Sequence, residues 1–339
     1  MRVLRLAIRL TLLLCVAGCN REGTRLVATG SPLSIAPADA PVRFAVIGDY
    51  GLAGQNEEQV ASLVQGWKPD FIISTGDNNY PRGGADTIDA NIGQYYAAFI
   101  APYRGRFGPG AARNRFFPAL GNHDLHADRG AAHLAYFSLP GNERYYDFTA
   151  GPVHLFALDS DYSEPDGTKS NSRQARWLRS RLDASRSCWR LVYFHHPPYA
   201  SSVKERPRMR WPFGAWGVDA VLSGHVHAYE RLAADGVVYF VVGLGGAESE
   251  DFDEISPFSH ERYNADYGAM LVTAARGTIT FEFFDRAGTR VDAHRLEKEC
   301  AVVDRFIARL NALTDILPEI RSRQAIAARS RGLTVCGSQ

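Results

Sequence analysis

From Val42 onward, short apolar runs alternate with amphipathic segments. Residues 44–47 and 71–73 are unbroken apolar runs and read as buried strands. Between them, residues 57–67 carry Val60, Leu63 and Val64 at helical spacing. Residues 87–99 predict a second helix, and 116–120 and 153–158 a third and fourth strand. Residues 172–182 form an amphipathic pattern with Ala175, Leu178 and Leu182 on one side. Strands are predicted next at 189–194, 218–222 and 237–242, then at 269–272, 279–284 and 291–296. The rhythm is α/β early and strand-rich late, without internal repeat or low-complexity stretch.

The two ends read differently. Arg2, Arg5 and Arg9 precede a short apolar run over 10–16, too short to span a bilayer and typical of an export signal. It ends in Val16-Ala17-Gly18-Cys19, which resembles the lipobox of bacterial lipoproteins. That resemblance implies removal of residues 1–18, acylation of Cys19 and anchoring in the cell envelope facing the periplasm, with Asn20 favouring the outer membrane. Residues 19–41 are rich in Gly, Ser, Pro, Ala and Asp and read as a tether. Residues 299–339 read as a helical extension, with a stripe of Val303, Phe306, Leu310, Leu313 and Leu317 that Pro318 should break. The catalytic domain is expected over 42–298. Of five cysteines, Cys300 and Cys336 bracket the extension and are the preferred disulfide pair.

The formal charge is +1, and losing residues 1–18 with three arginines and no acid makes it −2. With no basic-aromatic stripe, nothing in the chain suits nucleic acid. Membrane contact is expected through the lipid anchor alone.

Candidate chemistry falls in five clusters, each after an apolar strand: Gly48-Asp49, Gly76-Asp77-Asn78-Asn79-Tyr80, Gly121-Asn122-His123-Asp124, His195-His196-Pro197-Pro198, and Gly224-His225-Val226-His227. Ligand sites in α/β folds form beyond the carboxyl ends of strands, so these loops are expected to converge. They supply two Asp, a Tyr, an Asn and three His. Carboxylate and imidazole donors without thiolate suit zinc, iron or manganese. Seven donors exceed what one open ion needs and match two ions sharing a carboxylate. Lys204, Arg206, Arg208 and Arg210 are expected to border the pocket and bind an anionic substrate.

Taken together, the clusters resemble those of the calcineurin-like metallophosphoesterases over about residues 42–297. The resemblance implies a four-layer α/β/β/α sandwich of two mixed sheets flanked by helices. It implies that Asp49 and His227 bind a first metal, that Asp77 bridges, and that Asn122, His195 and His225 bind a second. Gly-Asp-x-x-Tyr and Gly-His-Val-His-Ala-Tyr-Glu-Arg are similar to the purple acid phosphatase branch, which implies Tyr80 as a ferric ligand beside a divalent ion (Fe2+, Zn2+ or Mn2+). Asp124 stands where that branch usually has Glu. The implied reaction is hydrolysis of small phosphate esters by a metal-bound hydroxide, monoesters first. Diester hydrolysis and a non-catalytic metal-binding envelope lipoprotein are the alternatives. His123 is the expected proton donor, oriented by Asp124 unless Asp124 bonds elsewhere in its loop. His196 is expected to contact the substrate or support its neighbour His195.

Overall fold

The computed structural model describes residues 32–300. The export signal, Cys19, the helical stripe and Cys336 lie outside the described residues.

Two sheets face one another. The smaller runs in the order β14-β13-β12-β2-β3-β4, where β2 is Val42–Ile47, β3 Phe71–Ser74, β4 Phe116–Pro118, β12 Gly268–Ala275, β13 Thr278–Asp285 and β14 Arg290–Glu297. The larger runs β1-β5-β6-β7-β8-β10-β9-β11, from β1 Leu33–Ala36, β5 Tyr146–Ala150, β6 Val153–Ala157, β7 Trp189–Tyr193, β8 Ala220–Ser223, β9 Tyr229–Ala234, β10 Val237–Val242 and β11 Ser259–Tyr263. Strands β2, β3 and β4 are parallel, as are β6, β7 and β8. Both sheets therefore present several carboxyl ends.

Alternation along the strands separates two cores. Leu191 and Tyr193 join Phe44, Phe71 and Phe148 between the sheets, while Val192 and Phe194 face Ala175, Leu178 and Leu182 of a helix at Arg173–Ala184. That helix and the one at Gln55–Gly66 match the predicted amphipathic segments. The two mixed sheets with flanking helices are the expected α/β sandwich.

Four differences have physical causes. Leu33–Ala36, inside the stretch read as tether, pairs in parallel with β5 as an edge strand. The helix expected at 87–99 is a wide turn over Asp89–Gly93, a single turn at Gln94–Tyr96 and a tight turn at Ala97–Phe99. The wide turn lets Asn91 reach inward to Asn79 Oδ1 and the Tyr80 carbonyl, each at 2.8 Å. Strands β9 and β11 escaped the hydrophobic pattern because Glu230, His260 and Glu261 interrupt it. Finally, Cys300 is bonded to Cys188, not to Cys336. Strand β14 carries Cys300 back beside β7, where Lys298 pairs with Asp219 and covers the Trp189 ring at 4.5 Å.

Candidate metal centre

The five clusters sit at the carboxyl ends of β2, β3, β4, β7 and β8, so three loops come from one sheet and two from the other. Their backbones are strained where the donors stand. Asp49, Asp77 and His225 have φ of 53°, 51° and 67°, an arrangement that side chains other than glycine adopt at a cost. Glycines clear the space: a Cβ on Gly121 would stand 2.2 Å from Asp77 Oδ1, and one on Gly224 2.4 Å from Asp49 Oδ2.

Two convergence points result. Around His195 Nε2 lie Asn122 Oδ1 at 3.1 Å, Asp77 Oδ2 at 3.2 Å and His225 Nδ1 at 3.2 Å. Around Tyr80 Oη lie His227 Nε2 at 3.1 Å, Asp77 Oδ2 at 3.2 Å and Asp49 Oδ1 at 3.4 Å. Asp77 Oδ2 belongs to both. All seven expected donors are therefore brought together.

Hydrogen bonds at the back of the rings fix which nitrogen faces inward. His195 Nδ1 donates to the Thr75 carbonyl at 3.1 Å and His227 Nδ1 to the Glu248 carbonyl at 2.7 Å. A carbonyl only accepts, so each Nε2 is left to point at the cluster. The donor set exceeds the protons available to it: the Nε2 lone pairs of His195 and His227 face oxygens of Asn122, Asp77 and Asp49. Cations at the two points would satisfy these lone pairs, so the residues fit a metal pair.

Electrostatics describe the same shortage of positive charge. Burial alone would raise the Asp77 carboxyl, but His195 and then His123 outweigh it and hold the group well below the ordinary carboxylate range. Burial lowers His195, yet the Asp77 and Asp49 carboxylates raise it to about 9. Burial, Asp49 and Asp77 push the Tyr80 phenol far above its usual value. His225, desolvated beside His195, is pushed down.

The three remaining candidates separate. His123 gives its backbone N–H to Asp77 Oδ1 at 2.8 Å and its Nδ1 to the Pro81 carbonyl at 2.7 Å. Its Nε2 faces Asp77 Oδ2 from 4.0 Å. His126 lies beside it, ring centroids 5.0 Å apart. Asp124 does not hold the His123 ring. Its carboxylate accepts from Gly121 N and from the backbone and side-chain amides of Asn78, at 2.8 to 3.2 Å, locking the third loop to the second. Burial and the nearby Asp77 charge raise it to about 7 despite those bonds. His196 packs on His225, ring centroids 4.4 Å apart, with Nδ1 2.9 Å from Ser160 Oγ. His195, His196 and His225 bring one nitrogen each to within 4.8 Å of one another.

Four bases expected to hold an anion are engaged within the protein. Lys204 pairs with Glu250, Arg206 caps the carbonyls of residues 203–205, Arg208 donates to the Ser160 carbonyl, and Arg210 pairs with Glu205. Sequence reading also passed over Ser160, Thr75, Glu248 and Glu230. Glu230 is 1% exposed and receives the backbone N–H and hydroxyl of Ser201, fixing the loop after His195. A buried acid inside the Tyr-Glu-Arg run was the available signal.

Residues 42–229, more than half of the chain, match the calcineurin-like phosphoesterase profile. The chain belongs to this family. Its relatives there include purple acid phosphatases. Purple acid phosphatase 15 of Arabidopsis thaliana is 30% identical over 251 residues, covering 62% of this chain and 46% of the relative. Purple acid phosphatase 17 of the same plant is 26% identical over 322 residues, 82% of this chain and 91% of the relative. The chain thus spans about half the length of the first and most of the second. In fold, this calcineurin-like chain is similar to the purple acid phosphatase of yellow lupin seeds, with a TM-score of 0.64 and 18% identity over 78% of this chain and 55% of that one.

Proposed function

We propose that the protein hydrolyses phosphate esters at a pair of metal ions, with small phosphomonoesters as the preferred class. The observation that carries this reading is the shared position of Asp77 Oδ2, 3.2 Å from both His195 Nε2 and Tyr80 Oη. One carboxylate oxygen common to two donor clusters is what a bridging ligand requires. Asp49, Tyr80 and His227 would hold one ion, ferric iron preferred. Asn122, His195 and His225 would hold the other, a ferrous, zinc or manganese ion.

When bound, the ions would polarise the phosphate and supply a nucleophilic oxygen at moderate pH. The protein does the rest by position. His123 keeps Nδ1–H on Pro81, so the proton it exchanges is at Nε2, beside Asp77. From there it protonates the departing alkoxide. His196, fixed by Ser160 and with a ring nitrogen within 4.8 Å of those of His195 and His225, would be a contact for substrate oxygen. Asp124 acts only by positioning the two loops. The N-terminal pattern supports a lipid anchor at Cys19 in the cell envelope, where small phosphorylated molecules would be met.

Asp77→Asn tests the reading. Expected are a fall from two bound metals per chain to one or none by elemental analysis, and at least about a thousandfold loss of turnover. A folded variant that keeps two ions and its turnover overturns the bridge.

A further inference from the structure

Six large apolar side chains are exposed among the described residues: Leu33, Leu52, Tyr162, Val203, Ile255 and Phe258. All but Leu33 stand on loops leaving the carboxyl ends of β2, β6, β7 and β10. Those loops also carry Asp49, Ser160, His195 and Glu248, which build the metal centre. Exposed apolar side chains are ordinary singly, but several on loops that leave one set of strand ends point to a surface that meets something apolar.

Three of them, Val203, Ile255 and Phe258, line one groove of about 480 Å³ between residues 200–210 and 253–258. The groove is tied in place from both sides. Asp253 N donates to the Ser201 carbonyl at 3.0 Å, and Asp253 Oδ2 receives Val203 N at 2.9 Å. It also adjoins the metal centre. Lys204, next in the chain to Val203 of the groove wall, pairs with Glu250, whose Oε1 is 3.6 Å from His227 Nδ1.

Charge selects among possible occupants. Arg210 is the one cation of the lining, and it is paired with Glu205 at 2.7 Å and laid over the Tyr199 ring. Asp253 and Glu254 remain as acids. Such a groove repels a leaving group bearing further phosphates or carboxylates and accepts an uncharged chain.

We infer that this groove is a leaving-group subsite for phosphate esters of elongated, uncharged, apolar alcohols. The inference rests on the phosphoesterase reading above, the phosphate lying at the metal centre and the chain running past the Lys204–Glu250 pair. Burying each added methylene should raise kcat/KM by about fourfold until the groove is filled.

A series of n-alkyl phosphates from methyl to octyl, below their aggregation concentrations, tests this in the metal-loaded protein. Longer alkanols differ little in acidity, so the slope with length reports contact, not leaving-group chemistry. The expected result is a rising series whose slope falls in Ile255→Ser and Phe258→Ser while methyl phosphate turnover is unchanged. The non-hydrolysable alkylphosphonates should follow the same order in Kd by calorimetry. A wild-type series flat in both kcat/KM and Kd overturns the subsite, as does a loss in both variants that is equal for methyl and octyl esters. Absence of turnover for every ester, with phosphonate affinity still rising with length, would sink the phosphoesterase reading and leave the groove standing.

Discussion

Asp77 Oδ2 lies 3.2 Å from Tyr80 Oη and the same distance from His195 Nε2 of the second cluster. The phenol is 8% exposed, and burial with the Asp49 and Asp77 charges holds its proton on. Only a strongly charged cation at that point would displace the proton, and ferric iron is such an ion. The protein lacking residues 1–19, purified in air without chelator, is expected to show a broad visible charge-transfer band. Tyr80→Phe should abolish the band and leave the melting temperature within a few degrees, since the ring volume is kept. A colourless wild type that still hydrolyses esters would remove Tyr80 as a ferric ligand and point to zinc, manganese or ferrous ions.

Gly121 offers a test of the close approach between loops. A methyl group there meets Asp77 N and Oδ1 at 2.2 Å, so either the bridge or the third loop must move. Displacing a reacting group by about 1 Å costs on the order of a hundredfold in rate. Gly121→Ala should therefore lower turnover about a hundredfold and loosen the metals, measured by competition with a chelator. Gly66→Ala is the control, because nothing lies within 4 Å of the added carbon. It should leave turnover unchanged and not lower stability. Equal behaviour of the two variants would refute the packing argument.

Much of this was legible in the chain because it is local. Apolar runs such as Phe71–Ser74 announce buried strands, and a glycine followed by Asp, Asn or His at their ends announces the donors. What escaped has no local signature. The Ser160 support for His196 is 36 residues away in sequence, and the Thr75 carbonyl that orients His195 is 120 away. Basic residues 204–210 look available for an anion as a string, and only the fold reveals that Glu250, Glu205 and backbone carbonyls already hold all four. Cys188 was passed over for Cys300 because β14 returns to β7 only in three dimensions.

His133 ties stability to acid. It is 1% exposed, its ring tilted against Phe137, and neither ring nitrogen has a partner. Burial lowers its pKa from 6.5 to about 3. The unfolded chain therefore binds a proton that the folded chain refuses between these values, and stability falls as pH drops below about 6.5. At pH 5 the loss from this residue is about 2 kcal/mol. His133→Leu removes it, so the variant should lose less stability than the wild type between pH 7 and pH 5, measured by denaturant unfolding at each pH. Glu57 works against it. That carboxyl is buried with both oxygens unpartnered and is pushed well above 4.5 by burial, so its contribution fades as pH rises. In Glu57→Gln the acid loss should therefore be steeper than in the wild type. Parallel pH profiles for His133→Leu and the wild type would mean that water or a rearranged ring satisfies His133 in solution.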